Sequence, residues 1–291
     1  MSSPRNLLMG IINITPNSFS DGGSYNDRTS FYKRLNYYLN HSSVDMIDIG
    51  AESTASFNES ISAQSELDRF RENLFPFLQE IAWPSSKMLS IDTQKIKTIT
   101  DIVAFIKSLD KKIEIIWNDI SGSLDDETLN FLKLNPKIRF VLTHNFCQKR
   151  DELSNHISFT QKISAQELYF KVVTFFEEAK LQFLKNGIEL SRIYFDPGFG
   201  FAKNREQNLY LMDQLASLIM RVNHPQWLIA MSRKSFLRES GLERSRDPLV
   251  IEATEIKLLN YLINLTNELR DSRDLVLTHR VHEPSLYENL K

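Results

Sequence analysis

Met9-Gly10-Ile11-Ile12-Asn13-Ile14-Thr15-Pro16-Asn17-Ser18-Phe19-Ser20-Asp21-Gly22-Gly23 is the stretch on which the fold turns. From Leu7 to Ile12 the chain is almost continuously apolar, the pattern of a strand buried on both faces. Thr15-Pro16-Asn17-Ser18 and Asp21-Gly22-Gly23 are turn chemistry. Asn13 therefore falls at the carboxyl end of a parallel strand, where barrels and doubly wound sheets place their chemistry. Taken alone, the stretch reads equally well as a strand and an ordinary loop, so the other strand ends decide.

Outward from it, apolar runs alternate with helical patterns. Strands are expected over 7–13, 46–50, 87–93, 113–119, 138–144, 193–197, 227–232 and 274–281. Helices are expected over 29–41, 62–81, 94–109, 125–134, 165–186, 206–222 and 248–268. Phe70, Leu74, Phe77, Leu78 and Ile81 carry amphipathic spacing, and Phe170, Val173, Phe176, Ala179, Leu181 and Leu184 are read the same way. Such alternation fits a (β/α)8 TIM barrel better than an open sheet. Residues 282–291 leave room for a short last helix, with Pro284 near its first turn.

The chain has 291 residues, which suits a single domain over 1–291. Hydrophobic residues make up 42% and charged residues 25%, ordinary for a globular protein. A formal charge of −2 provides no field to draw nucleic acid or a membrane surface. The single cysteine, Cys147, excludes a disulfide framework and a cysteine metal site, so a reducing, cytoplasmic setting is expected. No signal peptide, membrane-length apolar run or internal repeat is read. Glycine is scarce at 9 residues, and Gly10, Gly22, Gly23, Gly50, Gly122, Gly198 and Gly200 fall in the motifs at strand ends.

All the expected strands end in polar or ionisable groups. They close on Asn13, then Asp48-Ile49-Gly50-Ala51-Glu52-Ser53-Thr54, Ser90-Ile91-Asp92-Thr93 and Asn118-Asp119-Ile120-Ser121-Gly122. Next come Thr143-His144-Asn145, Asp196-Pro197-Gly198-Phe199-Gly200-Phe201-Ala202-Lys203, Ser232-Arg233-Lys234-Ser235 and His279-Arg280-Val281-His282. Chance puts charge at one or two strand ends, so the carboxyl rim is a site. Strand alternation sends Ser90 and Asp92 one way and Ile91 the other, and puts Arg280 and His282 on one face. Carboxylates beside amides suit a heterocycle that offers N–H donors and ring acceptors together. Arg280 and His282 suit a phosphate-type anion. The competing reading of Asp92 and Asp196 is a pair of rim carboxylates in structural ion pairs.

These motifs, in this order over nearly the whole chain, resemble the dihydropteroate synthase family. The resemblance implies a (β/α)8 barrel, usually a homodimer. It also implies condensation of 6-hydroxymethyl-7,8-dihydropterin diphosphate with 4-aminobenzoate. Asp92, Asn118, Asp196 and Lys234 resemble the residues that hold the pterin, and Arg280 and His282 the diphosphate anchor. Asn13 resembles the ligand of a diphosphate-bound Mg²⁺ and a contact to the diphosphate itself. Asp21 resembles a loop carboxylate that completes the closed site. Thr54, Phe201 and Ser235 resemble positions near the aminobenzoate. Catalytic roles are implied for Asp21, Lys234, Arg280 and His282.

The chain departs from the family in its loops. Thr54-Ala55-Ser56-Phe57 stands where the family continues into arginine and proline, and no basic residue follows before Arg69. Asn17 takes the place of an aspartate, Thr143 of a methionine and Ala202 of a glycine. An intact pterin site beside an altered second-substrate site is the expectation. Two other functions are carried with it: a catalytically weak pterin-binding paralogue that partners folate enzymes, and a pterin-dependent methyltransferase. Ser232-Arg233-Lys234-Ser235-Phe236 and Arg280-Val281-His282 argue against the methyltransferase.

Overall fold

The computed structural model describes residues 5–14, 27–52, 60–146, 162–242, 245–272 and 274–291. Eight parallel strands pair in chain order, and the last returns to the first, closing a barrel. They are β1 (Arg5–Asn13), β2 (Val44–Gly50), β3 (Met88–Asp92), β4 (Glu114–Asp119), β5 (Arg139–Thr143), β6 (Ile193–Asp196), β7 (Gln226–Ile229) and β8 (Val276–Val281). The helices between them are α1 (Asp27–Asn40), α2 (Ala63–Glu80), α3 (Ile96–Ser108), α4 (Asp126–Leu134), α5 (Ala165–Lys185), α6 (Arg205–Asp213), α7 (Leu215–Val222) and α8 (Pro248–Glu268). The expected (β/α)8 architecture is what the chain adopts.

The helices begin where the sequence offers caps. Ser62, Asp125, Ser164, Asn204 and Asp247 each accept a backbone N–H from the first turn of α2, α4, α5, α6 and α8. Ser164 with Glu167, and Asn204 with Gln207, close reciprocal capping boxes.

The barrel interior changes character along its axis. Its floor is apolar: Leu7, Met9, Met46, Ile116, Val141, Tyr194 and Leu228 pack together, with Met88 and Val276 against them. Two residues further along the strands the inward positions become Asp48, Ser90, Asn118, Thr143, Asp196 and Thr278, all buried. Pairing aligns Met46 with Met88, Asp48 with Ser90, and Gly50 with Asp92, whereas Ser90 lies beside Ile116 and Asn118 beside Val141, so the change steps along as it passes round the wall. The outward set, including Ile47, Ile49, Leu89, Ile91, Phe140 and Phe195, joins the helices in the main core.

Two expectations are corrected. The expected face of α5 is half right: Val173, Phe176 and Ala179 are buried, whereas Phe170, Leu181 and Leu184 are exposed. The packed face is Leu168, Tyr169, Val172, Val173, Phe176, Ala179 and Phe183. The helix expected over 206–222 is two helices, because Gln214 leaves helical geometry at φ −92° and ψ 11°. The expected short last helix is present as a 3₁₀ segment, Pro284–Leu290, whose Tyr287 and Leu290 are buried and whose last carbonyl accepts from Asn6 Nδ2 at 2.8 Å.

Candidate active site at the barrel mouth

Asp48 is the centre of the polar layer. It is fully buried and accepts from Ser90 Oγ at 2.5 Å, from Asn118 Nδ2 at 3.2 Å and from Arg280 Nε at 2.7 Å. Arg280 reaches over from β8 and also donates to Asp92 Oδ2 at 2.6 Å. One guanidinium thus bridges the carboxylates of β2 and β3. Burial opposes its charge, but Asp48 and Asp92 outweigh that and raise its pKa. Burial pushes the Asp92 carboxyl up to about 7, with Arg280 pulling the other way.

Asp196 ends β6 and accepts the Gly198 backbone N–H at 2.8 Å. Burial raises its pKa, against the opposing pull of that N–H and of Lys234, Lys203 and Arg280. Lys234 enters from the loop after β7. Its ammonium lies 4.6 Å from the Phe201 ring centroid, and burial, then Arg280, lowers its pKa to about 8. Gly200 makes room for it, since a Cβ there would stand 3.3 Å from Lys234 Cδ. Asp92, Asp196, Lys234 and Arg280 therefore act on one another at the carboxyl end of the barrel, with Asn118 joined to them through Asp48.

Three buried oxygens of this layer, Asn118 Oδ1, Thr143 Oγ1 and Thr278 Oγ1, have no hydrogen-bond partner among the described residues. Buried polar atoms are rarely left so, and three around one lumen mark a place that receives polar groups. With the carboxylates beside them they present acceptors to N–H donors, and Lys234 and Arg280 present donors.

His282 stands above Arg280, with its Nδ1 3.0 Å from Ser232 Oγ. Tyr38 of α1 packs over Gly10 and donates to the His282 carbonyl at 2.9 Å, holding that rim against β1. Asn13 closes β1. A Cβ on Gly50 would lie 3.3 Å from Asp92 Cβ and 3.5 Å from Asn13 Oδ1, so the glycine keeps the gap between amide and carboxylate open. An amide oxygen is a hard donor suited to Mg²⁺, which binds few protein ligands and keeps phosphate oxygens and water as the rest. Among the described residues no cluster of three or more histidine, cysteine or acidic side chains could hold a metal by itself. Asn13 thus fits a metal carried in by a phosphate ligand.

Phe201 is buried beside Lys234, while Ser235 is exposed on the 3₁₀ turn Ser235–Leu237. Asp21, Thr54, Asn17, Cys147 and the altered stretch 54–57 lie outside the described residues. Just before 53–59, Arg69 donates to the Ala51 carbonyl at 2.6 Å, and Glu52 accepts the Ile61 N–H at 2.9 Å while pairing with Lys95. Lys203 is buried behind the loop after β6. It donates to the carbonyls of His144, Gly198 and Phe201 at 3.1, 2.7 and 3.2 Å. His144 is enclosed by the edges of Phe146 and Phe175, and its backbone N–H pairs with the Asp196 carbonyl at 2.8 Å.

Gly198 has φ +68°, and a Cβ would overlap the His144 carbonyl. Left-handed geometry costs a residue with a side chain about 1–2 kcal/mol before any overlap. Gly198→Ala is expected to lower stability by roughly 3 kcal/mol or more, as loss of special backbone geometry does. It also displaces the N–H that Asp196 uses. Thermal unfolding checks this, and an unchanged Tm would show that the loop rearranges freely.

Sequence reading missed Asp48 as a site residue, along with Ser232 and Glu255, which enter below. The motif Asp48-Ile49-Gly50 gives the aspartate no role by itself. Its position two residues after Met46, on the inward face, was the available signal.

A closed parallel barrel with buried carboxylates, amides and cations at the carboxyl ends of its strands is a small-molecule enzyme site. The chain belongs to the pterin binding enzyme family, whose model matches residues 9–257. A dihydropteroate synthase of Neisseria meningitidis serogroup C is 30% identical over 233 residues, covering 80% of this chain and 75% of that protein. A folate synthesis bifunctional protein of Arabidopsis thaliana is 31% identical over 248 residues, covering 81% of this chain and 47% of its own length. The chain thus spans about half of that plant protein. The Yersinia pestis dihydropteroate synthase in a sulfonamide drug complex superimposes with a TM-score of 0.72 at 26% identity, covering 98% of this chain and 91% of that one. The Anaplasma phagocytophilum enzyme with bound 6-hydroxymethylpterin-monophosphate shares the fold at TM-score 0.72 and 24% identity, covering 98% of both chains. No helix among the described residues is long and apolar enough to cross a membrane.

Proposed function

We propose that the chain is a dihydropteroate synthase, joining 6-hydroxymethyl-7,8-dihydropterin diphosphate to 4-aminobenzoate with release of diphosphate. The observation that carries this is the lumen itself. Asp92, Asn118 and Asp196 lie at the inward-facing strand ends beside the orphaned oxygens of Asn118, Thr143 and Thr278, and Lys234, Arg280 and His282 add cations and an imidazole at the same end. A pterin ring edge supplies the N–H donors that such acceptors need. The identity to synthases favours full turnover over the catalytically weak paralogue.

In the reaction the bond between the pterin methylene carbon and the diphosphate oxygen breaks, and the oxygen keeps the electron pair. The aromatic amine forms the new C–N bond and loses a proton. The enzyme's part is to bind both partners and stabilise the leaving charge, with no covalent intermediate. Asp92, Asn118, Asp196 and Lys234 hold the ring, while Arg280 and His282 face the diphosphate. Phe201 and Ser235 serve the aminobenzoate side, with Asp21 and Thr54 on the first two loops. Mg²⁺ held by Asn13 would supply charge neutralisation for the diphosphate. A homodimer in the cytoplasm is part of the same reading.

A steady-state assay with the two substrates tests it. Diphosphate release that depends on 4-aminobenzoate is expected, and none with well-folded protein would overturn the proposal. Arg280→Ala is expected to weaken pterin diphosphate at least about tenfold more than bare hydroxymethylpterin, the size of a charge-assisted contact. Equal losses by calorimetry would mean that Arg280 only neutralises Asp48 and Asp92.

A further inference from the structure

Glu255 sits on α8, and it is only 3% exposed. Its carboxylate receives three donors. Oε1 accepts the Arg233 backbone N–H at 2.8 Å, and Oε2 accepts the hydroxyls of Ser232 at 2.7 Å and Tyr287 at 2.8 Å. Arg233 has φ +61°, so the first of these bonds holds a left-handed turn in place. Ser232 in turn lies 3.0 Å from His282 Nδ1 and accepts the His282 backbone N–H at 3.3 Å.

A serine hydroxyl has one hydrogen. Here it is directed to Glu255, and the lone pairs of Ser232 face His282. The contact with the ring must then be Nδ1–H donating to Ser232 Oγ. Nε2 is left with a lone pair, and no described residue is bonded to it.

We infer that Glu255, acting through Ser232, fixes His282 as the Nδ1–H tautomer, so that Nε2 meets a phosphate-type ligand as a proton acceptor and takes a proton from solvent when that ligand binds. The inference deepens the proposed function and rests on its reading of the mouth as a diphosphate site. Glu255 is a positioning residue in this scheme, since it touches Ser232, Tyr287 and the Arg233 backbone.

The surroundings agree. Arg233 and Lys234 face His282 from the loop after β7, Arg280 from β8 and Arg34 from α1. Glu283 pairs with Arg34 at 2.9 Å and approaches Arg233 at 3.4 Å, while Glu255 and Tyr287 stand behind Ser232. Burial, and then those cations, hold the imidazole well below its ordinary range, so the ring is neutral before a ligand arrives. A phosphate group cancels the cations and rewards a protonated Nε2. Each binding event then carries one proton, and affinity falls as pH rises.

The test is made on the full chain. Nitrogen-15 spectra report the tautomer, with the His282 signals assigned by their loss in His282→Asn. The wild type is expected to show Nδ1–H. In Glu255→Gln the side-chain amide can donate to Ser232 Oγ, which turns its hydrogen to Nδ1 and moves the ring to Nε2–H. Ser232→Ala removes the relay by a smaller change and is expected to lose the pure Nδ1–H state. Inorganic diphosphate is then titrated calorimetrically at several pH values. Wild-type affinity is expected to fall about tenfold more per pH unit than that of Glu255→Gln, because the variant's ring donates without taking a proton. The ligand's own ionisation cancels in the comparison. A wild-type ring found as Nε2–H overturns the inference. So do variants that both keep Nδ1–H and the wild-type pH slope. If inorganic diphosphate binds at no pH, the anion-site reading falls with the proton uptake, while the tautomer still decides the role of Glu255.

Discussion

Asp196→Ala is expected to reduce affinity for a hydroxymethylpterin by about a hundredfold or more, with the fold retained. The carboxyl is 2% exposed and lies among Lys234, Lys203 and Arg280, with one backbone N–H of its own at 2.8 Å. A charge-assisted hydrogen bond is worth about 1.5–3 kcal/mol, and a ring edge with two donors loses two of them. That sum is about 3 kcal/mol at its lower end, or roughly two orders of magnitude in Kd. Asp196→Asn keeps the shape and separates charge from volume. Asparagine can still accept one bond, so its loss should be about tenfold smaller than that of alanine. Calorimetry with the bare pterin gives the answer. Wild-type affinity in both variants would remove Asp196 from the pterin site and return it to the structural ion pairs considered from the sequence.

Asp48→Ala is expected to be the most destabilising change in the lumen. The residue is 0% exposed and joins β2 to β3, β4 and β8 through Ser90, Asn118 and Arg280. Removing one side of a buried charge pair costs roughly 3–5 kcal/mol, because the other charge stays buried with less compensation. Arg280 keeps Asp92, which places the loss toward the lower end. At roughly 2–4 °C per kcal/mol for domains approaching this size, Tm should fall by about 6–12 °C. The double variant Asp48→Ala/Arg280→Ala should recover part of that fall, since neither charge remains. A Tm within a degree of wild type for Asp48→Ala alone would show that water or Asp92 fully replaces the carboxylate.

Much of this architecture was legible because a barrel repeats its logic at every strand. Each apolar run is followed by a polar end, and one such pair means little while all of them together define a rim. The inward parity of Ser90 with Asp92, and of Arg280 with His282, follows from strand geometry alone. Partner choice was not legible. Arg280 and Asp48 are 232 positions apart, and only closure of β8 on β1 brings them together. Arg280 therefore reads from sequence as an anion anchor alone, and its seat on two carboxylates is visible only in the structure.

Glu255 was hidden for a different reason. A glutamate within a helix is ordinarily solvated, and nothing adjacent marks it. The signal lay in its phase, three residues before Leu258 and seven before Leu262, on the buried stripe of α8. Helix α5 failed the opposite way. It carries apolar residues around most of its circumference, so spacing alone could not choose between Phe170 and Tyr169 as the packed neighbour.

The methionine-rich floor has a kinetic consequence. Met9, Met46 and Met88 with Ile116, Val141 and Leu228 pack across one end of the lumen, so among the described residues the polar layer above them opens toward the carboxyl ends of the strands. Two ligands that share such an opening cannot arrive independently. On the proposed function, whatever seats against Asp48, Asn118 and Asp196 would go in first, and a partner docking nearer Ser235 would close the way out behind it. Traffic would then be last in, first out. A competitor for the outer position should therefore trap the inner ligand instead of displacing it, slowing its escape while leaving its contacts unchanged.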